Sequence, residues 1–136
     1  MSLELVIVTP EGEAFSGTVD QVVLPGSEGD FGVLEEHERF LAPLKHGALE
    51  MRTGGKSHWA AISNGFAEVS GERVVVLADY CAHADEIDTA VVENERQIVQ
   101  AEFDSLPETA ENEARRLELS EMLLHATIRM QVSDRA

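Results

Sequence analysis

Apolar residues recur at strand period through about the first 80 positions of the chain, and at helix period beyond about residue 85. Leu3-Glu-Leu-Val-Ile-Val8 is a short β run that ends in the turn Thr9-Pro-Glu-Gly12. Phe15 to Leu24 reads as one alternating strand, with Val19, Gln21 and Val23 on one face and Asp20, Val22 and Leu24 on the other. Leu49–Thr53 and Lys56–Ile62 flank Gly54-Gly55, a two-residue hairpin signal. Asn64-Gly65 reads as a second such turn, leading into Phe66–Ser70, and Gly71-Glu72 as a third, leading into Arg73–Ala78. Short strands at about ten-residue spacing predict an antiparallel sandwich or barrel.

Past that point Asp88 is placed to cap a helix running to about Ser105, with apolar positions Val91, Val92, Ile98, Val99 and Phe103. Ser105-Leu-Pro-Glu108 breaks it, and Ser105 with Glu108 has capping-box spacing. A second helix is expected to carry Ala110, Ala114, Leu117, Leu124 and Ile128 on one stripe and to fray by Ser133. Two helices joined by so short a turn lie antiparallel. The division expected is residues 1–84 as the β part and 85–136 as the helical hairpin. The hairpin's stripes are thin, so it is expected to be the less stable part and able to detach.

Composition changes the picture mainly through charge. Ten basic residues against 26 acidic give a net charge of −16. Binding nucleic acid requires neutralising phosphates with Lys and Arg, so that partner is disfavoured; an anionic lipid surface would repel the chain as well. No apolar run reaches the roughly 18 residues needed to span a bilayer, and the start Met-Ser-Leu-Glu-Leu lacks a signal-type stretch. The single cysteine, Cys81, excludes an internal disulfide and fits a reducing compartment.

Gly26-Ser-Glu-Gly29, Asp30, Phe31-Gly32-Val33, His37 and Lys45-Xaa-Gly47 form an acidic, glycine-punctuated segment built to be touched. It resembles the signature segment of the epsilon subunit of F-type ATP synthases. It departs from that pattern at Glu35-Glu36, where Pro-Gly is usual, and at Glu38-Arg39, where Ala-Pro is usual. Val8-Thr-Pro-Glu-Gly12 with Phe15-Ser-Gly17, Ser63-Asn-Gly-Phe-Ala-Glu-Val69 and Val76-Leu-Ala-Asp79 are similar to further family segments, in the same order. The resemblance implies an α+β protein in two parts, an N-terminal antiparallel β-sandwich and a C-terminal antiparallel two-helix hairpin.

It also implies a non-catalytic rotor subunit of a proton-translocating ATP synthase. Such a subunit joins the gamma subunit to the c-ring, peripheral to the cytoplasmic face of the bacterial inner membrane. The ring contact would fall on Glu28, Gly29, Asp30, Phe31 and His37, although Phe31 reads equally as a core residue. In the family the helices can also extend toward the catalytic alpha/beta head and inhibit hydrolysis. Here residues 108–132 hold Glu108, Glu111, Glu113, Glu118 and Glu121 against Arg115, Arg116 and Arg129. An acidic wedge meets repulsion at an acidic surface, so weak inhibition is expected.

Some family members bind ATP through a segment that aligns with Ile87-Asp88 here, but the arginine position is Val91. Valine offers a phosphate neither charge nor donors, and no P-loop occurs, so no nucleotide cofactor is expected. Cys81 and His83, at i and i+2, are a conceivable thiol–imidazole dyad, and Asp85 and Asp88 extend them to a ligand-type cluster. Paired zinc-ligand spacings are missing, so neither an enzyme nor a metal site is expected. The competing reading is a free-standing acidic β-sandwich module that binds a small ligand or another protein.

Overall fold

The computed structural model describes residues 2–34 and 37–136, with the side chains of His37 and Glu38 left aside. Ten strands precede two helices: β1 Leu3–Thr9, β2 Gly12–Val19, β3 Gln21–Gly26, β4 Gly29–Val33, β5 His37–Leu44, β6 Gly47–Thr53, β7 Lys56–Ile62, β8 Gly65–Gly71, β9 Arg73–Ala78, β10 Cys81–His83, α1 Thr89–Ser105 and α2 Glu113–Ser133. The strands follow the path β10-β7-β6-β3-β5-β8-β9-β1-β2, with β4 paired to β3. The path curls on itself into a β-sandwich-like unit. Its inward residues Leu5, Ile7, Val22, Leu24, Leu49, Ile62, Val69 and Val74 make one core. All pairings are antiparallel except β1 with β9, which run parallel.

The expected single strand from Phe15 to Leu24 is two strands, broken at Asp20. Val19, Val22 and Leu24 are all buried, so the alternation changes phase at the break. Asp20 is held at the corner, where its carboxylate accepts from the Gly54 N–H at 2.9 Å. The Gly54-Gly55 hairpin forms as expected, with both φ values positive at 60° and 79°. Gly71 likewise turns β8 into β9.

Asn64-Gly65 is not a hairpin turn. The strands on either side, β7 and β8, do not pair with each other; β7 pairs with β6 and β10, and β8 with β5 and β9. Gly65 is needed for another reason: a Cβ there would sit 1.9 Å from the Leu77 carbonyl oxygen. The two backbones approach where only glycine fits. Beside it Ser63, 4% exposed, accepts from the Asp79 and Tyr80 N–H groups and donates to the Asn64 carbonyl. The Ser63–Val69 and Val76–Asp79 segments are thus stitched together in space.

The helices form an antiparallel hairpin. Asp88 caps α1, its Oδ1 accepting from the Ala90 and Val91 N–H groups. The expected capping box at Ser105 does not form, because Ser105 is the last residue of α1 and donates to the Glu102 carbonyl. A short 3-10 turn, Ala110–Asn112, intervenes before α2. The buried stripes also differ from expectation. On α1 Val92 is buried, whereas Val91 and Ile98 face solvent. On α2 Leu119, Ala126, Ile128 and Val132 are buried, whereas Ala114, Leu117 and Leu124 are exposed. One helix face must serve both α1 and the sandwich, and that rotates the inward stripe away from the most apolar sequence positions.

Candidate interaction surfaces

The β3–β4 hairpin carries the acidic loop. Gly26 pairs with Gly29 across the two-residue tip Ser27-Glu28. A Cβ on Gly26 would lie 2.6 Å from the Gly29 carbonyl and 2.9 Å from the Phe31 ring, so the tip closes only on glycine. Glu28 and Asp30 are exposed, and among the described residues no side-chain hydrogen bond or ion pair engages either carboxylate. Gly29 is exposed between them, and Phe31 is half-buried, packed on the core with its ring centroid 5.8 Å from that of Phe40. The His37 backbone begins β5, but its side chain lies outside the described residues.

A second surface was not anticipated from the sequence. Pro43 opposes Phe66, Phe66 opposes Leu77, and Leu77 opposes Val8, a row crossing β5, β8, β9 and β1 on one face. Phe66 and Leu77 are each 52% exposed, and Leu41 one row away is 66% exposed. A groove of about 600 Å³ runs along Pro10, Pro43, Phe66 and Leu77. The signal was available in β8, where the bulky Phe66 faces outward while the small Ala67 is buried.

The hairpin is closed by arginines. Arg115 makes a bidentate pair with Glu102 across the helices, at 2.6 and 2.7 Å, and also reaches Glu118. Arg116 donates to the Phe103 and Leu106 carbonyls, and its guanidinium lies 4.3 Å above the Phe103 ring. It thereby caps α1, whose own last turn has no basic residue. Arg129 pairs with Glu95 at 3.1 Å. The hairpin docks on the sandwich through a small seam of Ala61, Ala84, Ile128 and Val132, flanked by Ala48, Trp59 and Ile87.

This geometry accounts for the remaining candidates. Ile87 belongs to the seam, Asp88 is occupied as a helix cap, and Val91 is exposed. Cys81 packs against the core, and burial pushes its thiol up to about 11, opposite to an activated thiolate. The His83 Nε2–H donates to the Ala14 carbonyl at 3.0 Å rather than to sulfur. Among the described residues no three His, Cys, Asp or Glu side chains converge as a metal site. No helix there is long and apolar enough to cross a membrane.

The ATP synthase delta/epsilon chain β-sandwich domain family matches residues 2–84. The chain belongs to the ATP synthase delta/epsilon chain family. The curated relatives it matches are ATP synthase epsilon chains. It is similar to the ATP synthase epsilon chain of Anaeromyxobacter sp. (strain Fw109-5), 38% identical over 99% of this chain and 100% of that one. The epsilon chain of Nitratidesulfovibrio vulgaris (strain DSM 19637 / Miyazaki F) is 49% identical over 64% of this chain and 65% of its own length. A chain in the Euglena gracilis mitochondrial ATP synthase, a complex containing F1 and the c-ring, shares the fold with a TM-score of 0.70 at 24% identity. That match covers 98% of this chain and 78% of the other. A chain in the central stalk and c-ring of the Tetrahymena thermophila mitochondrial enzyme does so with a TM-score of 0.61 at 12% identity, over 98% and 97%. The family's delta/epsilon sandwich corresponds here to the strands that carry the acidic tip and the apolar row.

Proposed function

We propose that this protein is the non-catalytic central-stalk subunit that couples rotation of the c-ring to the gamma subunit during ATP synthesis in a proton-translocating F-type ATP synthase. The carrying observation is that one sandwich presents two chemically distinct exposed surfaces, an apolar row and an acidic tip. The apolar row of Pro43, Phe66, Leu77 and Val8 suits a broad, dry contact with gamma. The exposed carboxylates Glu28 and Asp30, with Gly29 between them, suit basic and amide groups on the polar loops of the c-ring. Phe31 braces the tip from within the sandwich, and His37 completes the contact. The protein works as a peripheral part of the complex on the cytoplasmic face of the bacterial inner membrane.

Residues 85–136 are the regulatory part, and they act weakly on hydrolysis. Two features support this: residues 108–132 carry Glu108, Glu111, Glu113, Glu118 and Glu121 against Arg115, Arg116 and Arg129, and those arginines are already engaged in closing the hairpin. The possible contact with the alpha/beta head is therefore unfavourable for this chain.

The test is a pull-down with purified gamma subunit, repeated at high salt. Roughly one-to-one binding that survives salt and is lost in Phe66→Asp supports the reading. Full binding by Phe66→Asp removes the assigned gamma face. No binding by the unaltered chain in either buffer leaves a free-standing β-sandwich module. For the ring contact, Glu28→Lys with Asp30→Lys is expected to weaken binding to the isolated c-ring while leaving gamma binding intact.

A further inference from the structure

We propose that His125, packed against His46 and Tyr80, forms a pH-sensitive latch between the helical hairpin and the sandwich, holding α2 down while its imidazole is neutral and loosening it as the pH falls. His125 lies on α2, His46 in the connection from β5 to β6, and Tyr80 between β9 and β10. The two imidazole centroids are 5.4 Å apart, and the His125 ring meets Tyr80 edge-on at 4.3 Å. His125 Nε2 and His46 Nδ1 are buried and have no hydrogen-bond partner among the described residues. The latch deepens the reading of residues 85–136 as a movable regulatory part.

The charged and titratable groups around His125 work against its protonation. From its own helix comes the Arg129 guanidinium, whose Nε is also buried without a partner. From the sandwich come His46 and the Tyr80 phenol, with Arg129 5.7 Å from the Tyr80 ring. From α1 comes the Glu95 carboxylate, which is already engaged by Arg129. A charged imidazole needs acceptors for both N–H groups, and this seam offers His125 Nε2 none. Burial first, then Arg129 and His46, push the His125 imidazole down to about 4, with Glu95 pulling weakly the other way.

The sign follows from linkage. A released His125 titrates near about 6.5, so the undocked form binds the proton more tightly than the docked form. Docking is at full strength above about pH 6.5. It weakens by up to about tenfold per pH unit between about 6.5 and about 4. A seam built from four small or medium apolar residues is shallow enough for this change to register.

Two measurements on the full chain test the latch. In the unaltered protein, an NMR titration of the five histidines is expected to show His125 titrating well below about 6.5. Trp59, the only tryptophan, packs on the seam under Arg135 at 4.1 Å, so its emission reports docking. In a urea series, the docking constant is expected to fall by about fivefold from about pH 6.5 to about 5.5, and to stay level in His125→Phe, which keeps a neutral ring against Tyr80. The latch is overturned if His125 titrates near about 6.5 with the hairpin docked, or if His125→Phe responds to pH as the unaltered chain does. If His125→Phe does not fold, the titration of the unaltered chain decides. Gamma binding is read separately at neutral pH, so failure of the latch and failure of the stalk assignment give different results.

Discussion

Replacing Val132 with Ala should release the helical hairpin without unfolding the sandwich. Val132 is fully buried, and with Ile128 it is what α2 contributes to the seam against Ala61 and Ala84. The change deletes two methyl groups, a transfer loss of about 1.6 kcal/mol at about 0.8 kcal/mol each. The cavity left between rigid strands and the helix adds about 1 kcal/mol more. A total of about 2.5 kcal/mol lowers the docking constant about 60-fold, because about 1.4 kcal/mol is tenfold. Native-state amide exchange reads this element by element. Protection on α2 should fall by that factor while β1 and β9 keep theirs, and Trp59 emission should shift to the red. Gln131→Ala, exposed on the same helix, is the control. If β1 and β9 lose protection as much as α2, hairpin and sandwich are one cooperative unit and the seam is not a separate joint. If α2 protection does not change, the seam is not what holds it.

Three further outcomes follow from single sites. Gly65→Ala should cost about 3 kcal/mol or more in a urea melt, because its Cβ would meet the Leu77 backbone oxygen. Gly54→Ala, a matter of positive φ alone, should cost about 1 kcal/mol, and equal losses at the two positions would contradict the close-approach account. The Glu50 carboxyl is held below the usual carboxylate range, chiefly by the Ser57 hydroxyl and then by Arg52, against a desolvation effect in the opposite direction. Its stabilising effect is therefore present above about pH 4.5 and is lost as the pH falls further. Ser57→Ala should raise the Glu50 midpoint in a carboxyl NMR titration and flatten that acid loss, and an unmoved midpoint would remove Ser57 as the cause. Calorimetry with MgATP should show no saturable binding below the millimolar range, since Val91 lacks a charge and Arg115, Arg116 and Arg129 are engaged. A micromolar dissociation constant would refute that.

What could be read from the chain itself was local. The hairpins at Gly54-Gly55 and Gly71-Glu72, the Asp88 cap and the change from strand to helix period depend on residues close in sequence, and they stand where the pattern puts them. The motif order carried the family for the same reason, since each segment is a short run with a fixed backbone task. Tertiary structure decided whatever needed a distant partner. Asn64-Gly65 looks like a turn until the Leu77 carbonyl arrives against it from twelve residues on. Ser105 looks like a cap until Arg116 from the facing helix takes over the end of α1. Leu117 and Leu124 look like a core stripe, but α2 must face α1 and the sandwich at once, and that choice buries Leu119, Ala126, Ile128 and Val132 instead. The His46–His125 contact joins residues that no periodicity links, because they meet only when the hairpin folds down onto the sheet.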